Sequence, residues 1–390
     1  MLQELKIKLG VKIMIYLDYA ANSPTSKEVL DVFYETTMKY IGNPNSSHKL
    51  GRQAKELLDN STKKIAELLN VKESEIIYTS GASESNNLAI KGLLNKYRNK
   101  GKHILVTTLD HSSVIGPLNI LADENGYDIE TVNILKDGLI DLDSFKELLR
   151  QDTVLVSVPY VDSEIGLKQP IEEIGKILKN YPNSYFFVDA SQAVGKIEVD
   201  LSNIDLMTIA PHKFYGLNGI GILVKKENIQ LTPLIHGGKS TTIYRSGTPD
   251  VALVRSTAKA LEIAYANLDS NYLYVDKINK RVREELKKYT EISFNSTSNS
   301  IPYTLNISIK GIKSIEFVQE LEKYDIYVST KAACCPINTI SRSVYALTSD
   351  KKLSLATLRI SFSHLTTNEE IDEFLRCFNI VYDKLVNGNK

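Results

Sequence analysis

Four polar residues that could bind a single cofactor lie beside separate apolar runs of this 390-residue sequence. Lys213 follows the short apolar run in IAPHKFYGLNGIGILV, at the end of a segment that reads as a buried strand. Burying a charged ammonium group at such a position costs free energy. A desolvated lysine gives up its proton readily and becomes a nucleophilic amine that can form a Schiff base. By residue type alone an exposed loop lysine is the commoner case, so this interpretation depends on the neighbouring motifs.

Asp189 and His111 also end apolar runs. Asp189 ends the strand-like run that leads into VDASQAVGK, where a carboxylate needs a cation or several donors. It is either a helix N-cap or the partner of a buried protonated ring nitrogen. His111 ends HILVTTLDH, and the carboxyl ends of parallel strands are where α/β sheets place ligands, although a lone histidine is more often structural.

The stretch TSGASESNNLAIKGLL predicts a helix that begins directly after a strand and a few small residues. The N–H groups and the dipole of such a helix start form an anion site, to which Ser83 adds a hydroxyl. The alternative is a capped helix without a ligand, with Glu84 or Asn86 near the cap. A phosphate site, a carboxylate, an imidazole and a Schiff-base lysine are together what pyridoxal phosphate requires.

The elements that must position these residues alternate along the middle of the chain. Helical patterns such as IEEIGKILKNY separate nearly continuous apolar runs, which are typical of strands buried on both faces, at 103–109, 153–161, 184–192, 206–210 and 219–224. This alternation predicts an α/β fold with a doubly wound, mostly parallel sheet.

The pattern changes near residue 251. One long helix is predicted from Ala252 to Lys288, followed by strands at 303–309 and 358–362 with a helix between them. Thr367 and Glu370 predict a capping box at the start of a last amphipathic helix.

These patterns predict the domain organisation. We expect a short basic extension over residues 1–15, with Met14 as a candidate start, a large α/β domain over 16–250 and a smaller α+β domain over 251–390. The first residues after the extension are candidates for packing against the smaller domain.

Composition excludes several classes of function. The 47 Lys and Arg residues balance the 47 Asp and Glu residues, so no nucleic acid or anionic membrane is expected as a partner. No apolar run reaches the roughly 18 residues of a membrane span, and the first residues lack the features of a secretory signal. The three cysteines, Cys334, Cys335 and Cys377, indicate a reducing cytoplasm rather than disulfides, and no zinc spacing occurs, so no metal is expected.

Ordered motifs along nearly the whole chain resemble the cysteine desulfurases of the class V aminotransferase group, which are fold type I pyridoxal-phosphate enzymes. The motifs are YLDYAANSP, GNPNSSH, TSGASESNNLAIKG, LDHSSV, EIGLKQPI, VDASQAVGK, HKFYG, HGG, RSGTPD, VSTKAACC and LRISFS. Their number and order make the resemblance specific.

The resemblance implies how the cofactor ring is held. Lys213 would carry the Schiff base, His111 would stack on the ring, Asp189 would pair with its nitrogen and Gln192 would hydrogen-bond its oxygen. Ser163 occupies a position that would contact the ring oxygen or the substrate.

The resemblance also implies how the charged groups are bound. Ala82, Ser83 and His212 would hold the phosphate, and Thr248 would reach the phosphate of the neighbouring subunit, which implies a homodimer. Arg359 would bind the substrate carboxylate, a role that suits its bidentate fork.

The implied reaction removes sulfur from L-cysteine. Lys213 would shift the α-proton and the Cys334 thiolate would attack the substrate sulfur, so that alanine leaves and a persulfide remains on Cys334. An acceptor protein would then take the sulfur for Fe–S cluster, thio-cofactor or tRNA assembly. Lys331 is a candidate for lowering the thiol pKa, whereas Cys334 could also be a small structural residue, and the adjacent Cys335 leaves the choice of nucleophile open.

Three motifs depart from the family pattern, each at a position that bears on the site. NNEIG becomes DSEIG with Ser163, SGHK becomes APHK with Ala210, and SSGSAC becomes STKAAC with Lys331 in place of a glycine. The first two changes each remove about one hydrogen bond, on the order of 1 kcal/mol, and the third stiffens a loop. We expect the cofactor still to bind, with activity reduced or redirected to one pathway.

Two other functions remain open from the sequence. The chain could be another class V aminotransferase or lyase, although such an enzyme has no use for a loop thiol. It could also be a degenerate, non-catalytic scaffold that keeps the fold and the dimer.

Overall fold

The computed structural model describes residues 14–332 and 339–388, without the side chain of Asn387. The α-helices of these ranges are α1 (Lys27–Lys39), α2 (Lys49–Leu69), α3 (Ala82–Lys96), α4 (Ser112–Asn125), α5 (Leu142–Leu148), α6 (Ile171–Leu178), α7 (Val251–Ala266), α8 (Leu268–Leu286), α9 (Ser314–Glu322), α10 (Arg342–Thr348), α11 (Lys351–Leu355) and α12 (Asn368–Tyr382). The strands are β1 (Ile15–Tyr16), β2 (Ile76–Thr79), β3 (His103–Thr107), β4 (Asp128–Val132), β5 (Thr153–Pro159), β6 (Tyr185–Asp189), β7 (Leu206–Ile209), β8 (Gly221–Lys225), β9 (Ile292–Phe294), β10 (Thr304–Ile309), β11 (Ile326–Tyr327) and β12 (Thr357–Ser361).

The main sheet has seven strands in the order β2-β8-β7-β6-β5-β3-β4. Strands β3 to β7 are mutually parallel, and β8 is antiparallel to both of its neighbours. Every residue of β3, β5, β7 and β8 is buried, as expected for a sheet with helices on both faces. The predicted doubly wound, mostly parallel sheet is confirmed.

The winding of this sheet reverses at β3. Strand β4 lies on one side of β3 and β5 on the other, so the chain runs outward from β3 to β4 and then crosses back over β3 to reach β5. In open α/β sheets, the crevice at such a switch point is the usual place for a ligand.

A second sheet lies in the C-terminal part of the chain, where β10 pairs antiparallel with β12 and β9. The N-terminal strand β1 pairs parallel with β11, and Asp18 forms a bridge with Ser361. The N-terminal segment therefore contacts the C-terminal part, while the domain boundary near residue 250 stays a prediction.

The prediction of a single helix from Ala252 to Lys288 is wrong, because the structure has two helices, α7 and α8, with a break at Asn267. The Asn267 side chain donates to the Ile263 carbonyl (2.8 Å), and its backbone is non-helical, with φ −116° and ψ 14°. An asparagine side chain that hydrogen-bonds nearby backbone groups competes with helix continuation.

The capping box of the last helix, α12, is confirmed. Thr367 Oγ1 accepts from the Glu370 N–H (3.2 Å), and Glu370 Oε2 accepts from the Thr367 N–H (2.8 Å). Over the described ranges, no helix combines the length and the apolar character needed to cross a membrane.

Candidate active site

A cavity of about 420 Å³ opens at the carboxyl ends of β3, β5, β6 and β7. Because β2 runs in the same direction as β7, the turn after β2 reaches the same edge. The structure brings together most of the predicted cofactor and substrate residues in the lining, namely Ala82, Ser83, His111, Ser163, Asp189, Gln192, His212, Lys213 and Arg359.

The first turn of α3 forms one wall of the cavity. No side chain caps this helix, because its N-cap residue is Gly81. Glu84 in the first turn accepts from the N–H (2.8 Å) and the hydroxyl (2.6 Å) of Ser80, which lies outside the helix. The first N–H groups of a helix have no intrahelical partner, so those of Ala82 and Ser83 are available at the cavity wall. This arrangement suits an anion such as phosphate.

Asp189 and His111 are connected by a hydrogen-bonded chain. Asn86 Nδ2 donates to Asp189 Oδ2 (2.9 Å) and to Ser113 Oγ (2.8 Å). Ser113 Oγ lies 2.7 Å from His111 Nδ1, which also accepts from the Ser113 backbone N–H (3.1 Å). Because Nδ1 accepts, a neutral His111 carries its proton on Nε2.

The two interpretations of Asp189 both describe part of its environment. Its Oδ1 accepts from the Ser191 N–H (2.9 Å), as a turn-capping carboxylate does. The residue is nevertheless 8% exposed and lines the cavity, so the carboxylate is also placed to meet a bound cation.

Lys213 lies at the end of a short 3₁₀ turn after β7, with its amine on the inner wall of the cavity. Its Nζ donates to the carbonyl oxygens of Ala20 (2.8 Å) and Ala21 (2.5 Å). Gln192 Nε2 donates to the same Ala20 oxygen (2.9 Å). Lys213 is thus a half-buried lysine held by backbone carbonyls rather than an exposed loop lysine.

His212 provides a neutral imidazole next to Lys213. Burial, with smaller contributions from Lys213 and Lys196, lowers the pKa of His212 to about 4. At neutral pH the ring therefore offers one N–H donor without a charge.

Arg359 is a buried cation at the floor of the cavity and is only 1% exposed. Its Nη2 pairs with Asp18 Oδ1 (2.7 Å), and its Nη1 donates to the Ser163 carbonyl (3.0 Å). Its Nε is buried without a hydrogen-bond partner. The contact with residue 163 uses the backbone, so it does not depend on the asparagine that Ser163 replaces.

The remaining candidates are Thr248, Lys331, Cys334 and Cys335. Thr248 is exposed and does not line the cavity of its own chain. Cys334 and Cys335 lie outside the described residues, although Ala332, two positions before Cys334, lines the cavity. The ammonium of Lys331 donates to the carbonyl (2.5 Å) and the hydroxyl (2.6 Å) of Thr339.

Sequence reasoning missed several residues around the site. The sequence pattern gives Asn86 no role beyond that of a possible cap, and it assigns no role to Asp18, Ser113 or Lys196. The available signal was polar side chains within otherwise buried motifs, such as the lysine four residues after Gln192 in VDASQAVGK.

The lining residues fit pyridoxal phosphate. One cavity contains a helix start for an anion, a carboxylate at Asp189 and an amine at Lys213. Buried lining atoms of Ser191 (Oγ) and Arg359 (Nε) have no hydrogen-bond partner, as expected of groups that meet a ligand. Within the described ranges, no His, Cys, Asp and Glu cluster is arranged to hold a metal ion.

The fold and the cavity together define a fold type I protein of the kind that binds pyridoxal phosphate. The family described as aminotransferase class-V matches residues 15–374, and the chain belongs to this family. A NifS/IcsS protein homolog of Lactobacillus delbrueckii subsp. bulgaricus is 37% identical over 95% of this chain and 97% of its own length.

Other similar proteins cover nearly the whole chain as well. The cysteine desulfurase IscS of Dictyoglomus turgidum is 34% identical over 96% of both chains. A solved structure described as a NifS-like protein has a TM-score of 0.90 at 29% identity, over 96% of this chain and all of the other.

Proposed function

We propose that the chain is a pyridoxal-phosphate-dependent cysteine desulfurase, which converts L-cysteine to L-alanine and retains the sulfur as a persulfide. The observation that carries the proposal is the single cavity shared by Lys213, Asp189, the start of α3 and Arg359. Full-length similarity to cysteine desulfurases supports the same activity.

Different residues of the cavity bind the phosphate and the ring of the cofactor. The start of α3, with Ala82 and Ser83, and the N–H of His212 hold the phosphate. Bound pyridoxal phosphate supplies an electron sink next to the substrate's α-carbon. Asp189 keeps the ring nitrogen protonated, and Gln192 donates to the ring oxygen.

Other residues act on the substrate. Arg359 binds the α-carboxylate, for which its buried Nε is a free donor. Lys213 would hold the cofactor through its amine, and the same amine would take and return the proton at the α-carbon of the substrate. His111, whose Nδ1 is held by Ser113, would pack on the cofactor ring.

Cys334 is the proposed nucleophile. Its thiolate would attack the substrate sulfur, and the carbon–sulfur bond would break with its electron pair going to the substrate's β-carbon. Protonation of that carbon would complete the side chain of alanine, and alanine would leave when the Lys213 amine takes the cofactor back. Cys377 is unsuited to this role, because it is buried in α12, and burial together with Glu373 raises its thiol pKa to about 11. Ala332 lines the cavity and precedes Cys334 by two residues, which supports Cys334 or its neighbour Cys335 as the nucleophile.

We further propose a homodimer in which Thr248 contacts the phosphate of the partner subunit, a cytoplasmic location, and a sulfur-acceptor protein. The cytoplasmic location is supported by the low, odd number of cysteines. Neither nucleic acid nor a membrane is required for the chemistry.

The test measures alanine formed from L-cysteine, with and without a reductant, by wild type and by Cys334→Ser, with Cys335→Ser and Cys377→Ser as matched controls. We expect the activity of Cys334→Ser to be at least about a hundredfold lower than that of wild type, and the controls to keep most of the activity. Mass spectrometry of the wild type should locate the added sulfur on Cys334.

Other results would identify a different protein. Full activity of Cys334→Ser, or a persulfide on Cys335, would mean that the nucleophile is wrong. Keto-acid production without a persulfide would indicate an aminotransferase. A chain that acquires no visible absorbance with pyridoxal phosphate, or keeps it in Lys213→Ala, would contradict the proposed use of the cofactor.

A further inference from the structure

Lys196 is a buried lysine directly behind the wall of the cavity. The residue is 8% exposed, and its Nζ donates to Gln192 Oε1 at 2.6 Å. Its ring neighbour is Tyr303, whose centroid lies 5.9 Å from Nζ. Within the described part of the chain, no carboxylate forms an ion pair with this amine.

A buried lysine without a counter-ion is costly, so its contact with Gln192 needs an explanation. Lys196 also shares a small cavity behind the main one with Lys213 and Tyr303. The two amines repel each other when both are charged, which adds to the cost of this position. No contact with bound substrate or cofactor is implied, because Lys196 does not line the main cavity.

The contact determines which way the Gln192 carboxamide points. An ammonium group can only donate, so the amide oxygen must face Lys196. The amide nitrogen then faces the other way, where one N–H is used by the Ala20 carbonyl (2.9 Å). The second N–H remains for the cavity that Gln192 lines.

We propose that Lys196 is a positioning residue, which holds Gln192 so that its amide N–H, rather than its oxygen, meets the ring oxygen of pyridoxal phosphate. The inference rests on the proposed function, because it concerns the same cofactor. Without Lys196 the buried Oε1 of Gln192 has no donor, and the carboxamide is no longer held in the orientation that presents its second N–H to the ring oxygen.

The protonation state of Lys196 does not alter this role. Burial, followed by Lys213 and Arg359, lowers the pKa of Lys196 to about 7. A neutral amine still has N–H groups, and the Ala20 carbonyl, which can only accept, keeps the amide nitrogen of Gln192 on its own side. The amide oxygen therefore faces Lys196, and Lys196 donates to it, on either side of this pKa.

The test is a double-mutant cycle of Lys196→Met and Gln192→Met, read as the dissociation constant of pyridoxal phosphate for the cofactor-free protein. We expect Lys196→Met to raise this constant about five- to tenfold. In the Gln192→Met background, the same change should have almost no effect, because the carboxamide it positions is absent.

A second readout is the pH midpoint of the visible absorbance of the bound coenzyme. The loss of a donor to the ring oxygen should move this midpoint upward, because a more negative oxygen retains the neighbouring Schiff-base proton. A merely structural lysine would leave the midpoint in place. The melting temperature of the cofactor-free variant should not fall, since methionine fills a similar volume without a charge.

Lys225→Met is the matched control, because Lys225 is also a buried lysine (2% exposed) but binds the carbonyls of Lys226 and Ile229 away from the cavity. Its cofactor affinity should equal that of wild type. Equal affinity of Lys196→Met and wild type, or additive effects in the cycle, would overturn the inference alone. A wild type that binds no pyridoxal phosphate would overturn the proposed function and this inference with it.

Discussion

At the scale of single residues, Asp162 is a buried carboxylate where the resemblance leads us to expect an asparagine. Its Oδ1 accepts from Ser343 Oγ (2.7 Å), and its Oδ2 accepts from the backbone N–H groups of Glu164 (3.0 Å) and Ile165 (2.5 Å). Burial and, to a smaller extent, Glu164 raise the pKa of Asp162 from 3.8 to about 6. An asparagine could keep all three bonds by donating to Ser343 and accepting from the backbone.

Asp162→Asn should therefore stabilise the protein only where the carboxylate is charged. The folded chain retains the Asp162 proton up to about pH 6, the unfolded chain loses it near 3.8, and the free energy of unfolding therefore falls between these values. The variant should match wild type near pH 4 and be more stable by about 2–3 kcal/mol near pH 8. Urea denaturation of the cofactor-free protein at both pH values measures this difference.

The control for this prediction is Asp200→Asn, because hydrogen bonds from Ser202 lower the pKa of Asp200. Removing that carboxylate should give no gain in stability near pH 8. A gain for Asp162→Asn that is equal at the two pH values would show that packing, rather than charge, is responsible.

The same scale shows what the sequence could predict about the site. Lys213, Asp189 and His111 could be found because each follows an apolar run, and a run of that kind has to be buried. Asn86 and Lys196 could not be assigned, because a polar residue within a helical or turn pattern is indistinguishable from a surface residue until its partner is known. Thr248 and Cys334 depended on the resemblance and stay predictions.

At the scale of elements, apolar runs in the sequence predict where the strands lie, but they do not predict which strands pair with β8. Strand β8 lies beside β2, and a Cβ at Gly221 would lie 2.5 Å from the Gly81 carbonyl carbon and 2.7 Å from Thr79 Oγ1. Gly221 therefore lets β8 pack directly against the turn that begins α3. A run of letters such as GIGILV predicts the strand, whereas this close approach depends on a neighbour more than a hundred residues earlier.

Gly221→Ala should displace the Gly81 turn and with it the N–H groups proposed to bind phosphate. We expect the dissociation constant of pyridoxal phosphate to rise about tenfold or more, and the stability to fall by about 1–3 kcal/mol from overpacking. Gly116→Ala is the control, because a Cβ in the middle of α4 meets nothing within 4 Å. Unchanged cofactor affinity in Gly221→Ala would show that the turn does not contribute to phosphate binding.

At the scale of the whole molecule, an apolar patch on α1 and an exposed isoleucine near Thr248 bear on how two copies of the chain could meet. Leu30, Tyr34 and Met38 are exposed on α1 at four-residue spacing, and Ile243 is 61% exposed in the segment that leads to Thr248. Exposed apolar patches of this kind mark interaction surfaces. They support the proposed homodimer, in which Thr248 would serve the other subunit's cavity because it does not line its own.

Mixed dimers test whether Thr248 acts across the interface. Thr248→Ala alone should weaken pyridoxal phosphate binding about tenfold, and Lys213→Ala alone should bind none covalently. If Thr248 serves the partner, a mixed dimer has one site with both residues intact, so a fully exchanged equal mixture should show wild-type affinity at about one quarter of all sites. If Thr248 acts within its own subunit, no site in the mixture is intact. A fully exchanged mixture without any site of wild-type affinity would therefore contradict the shared site.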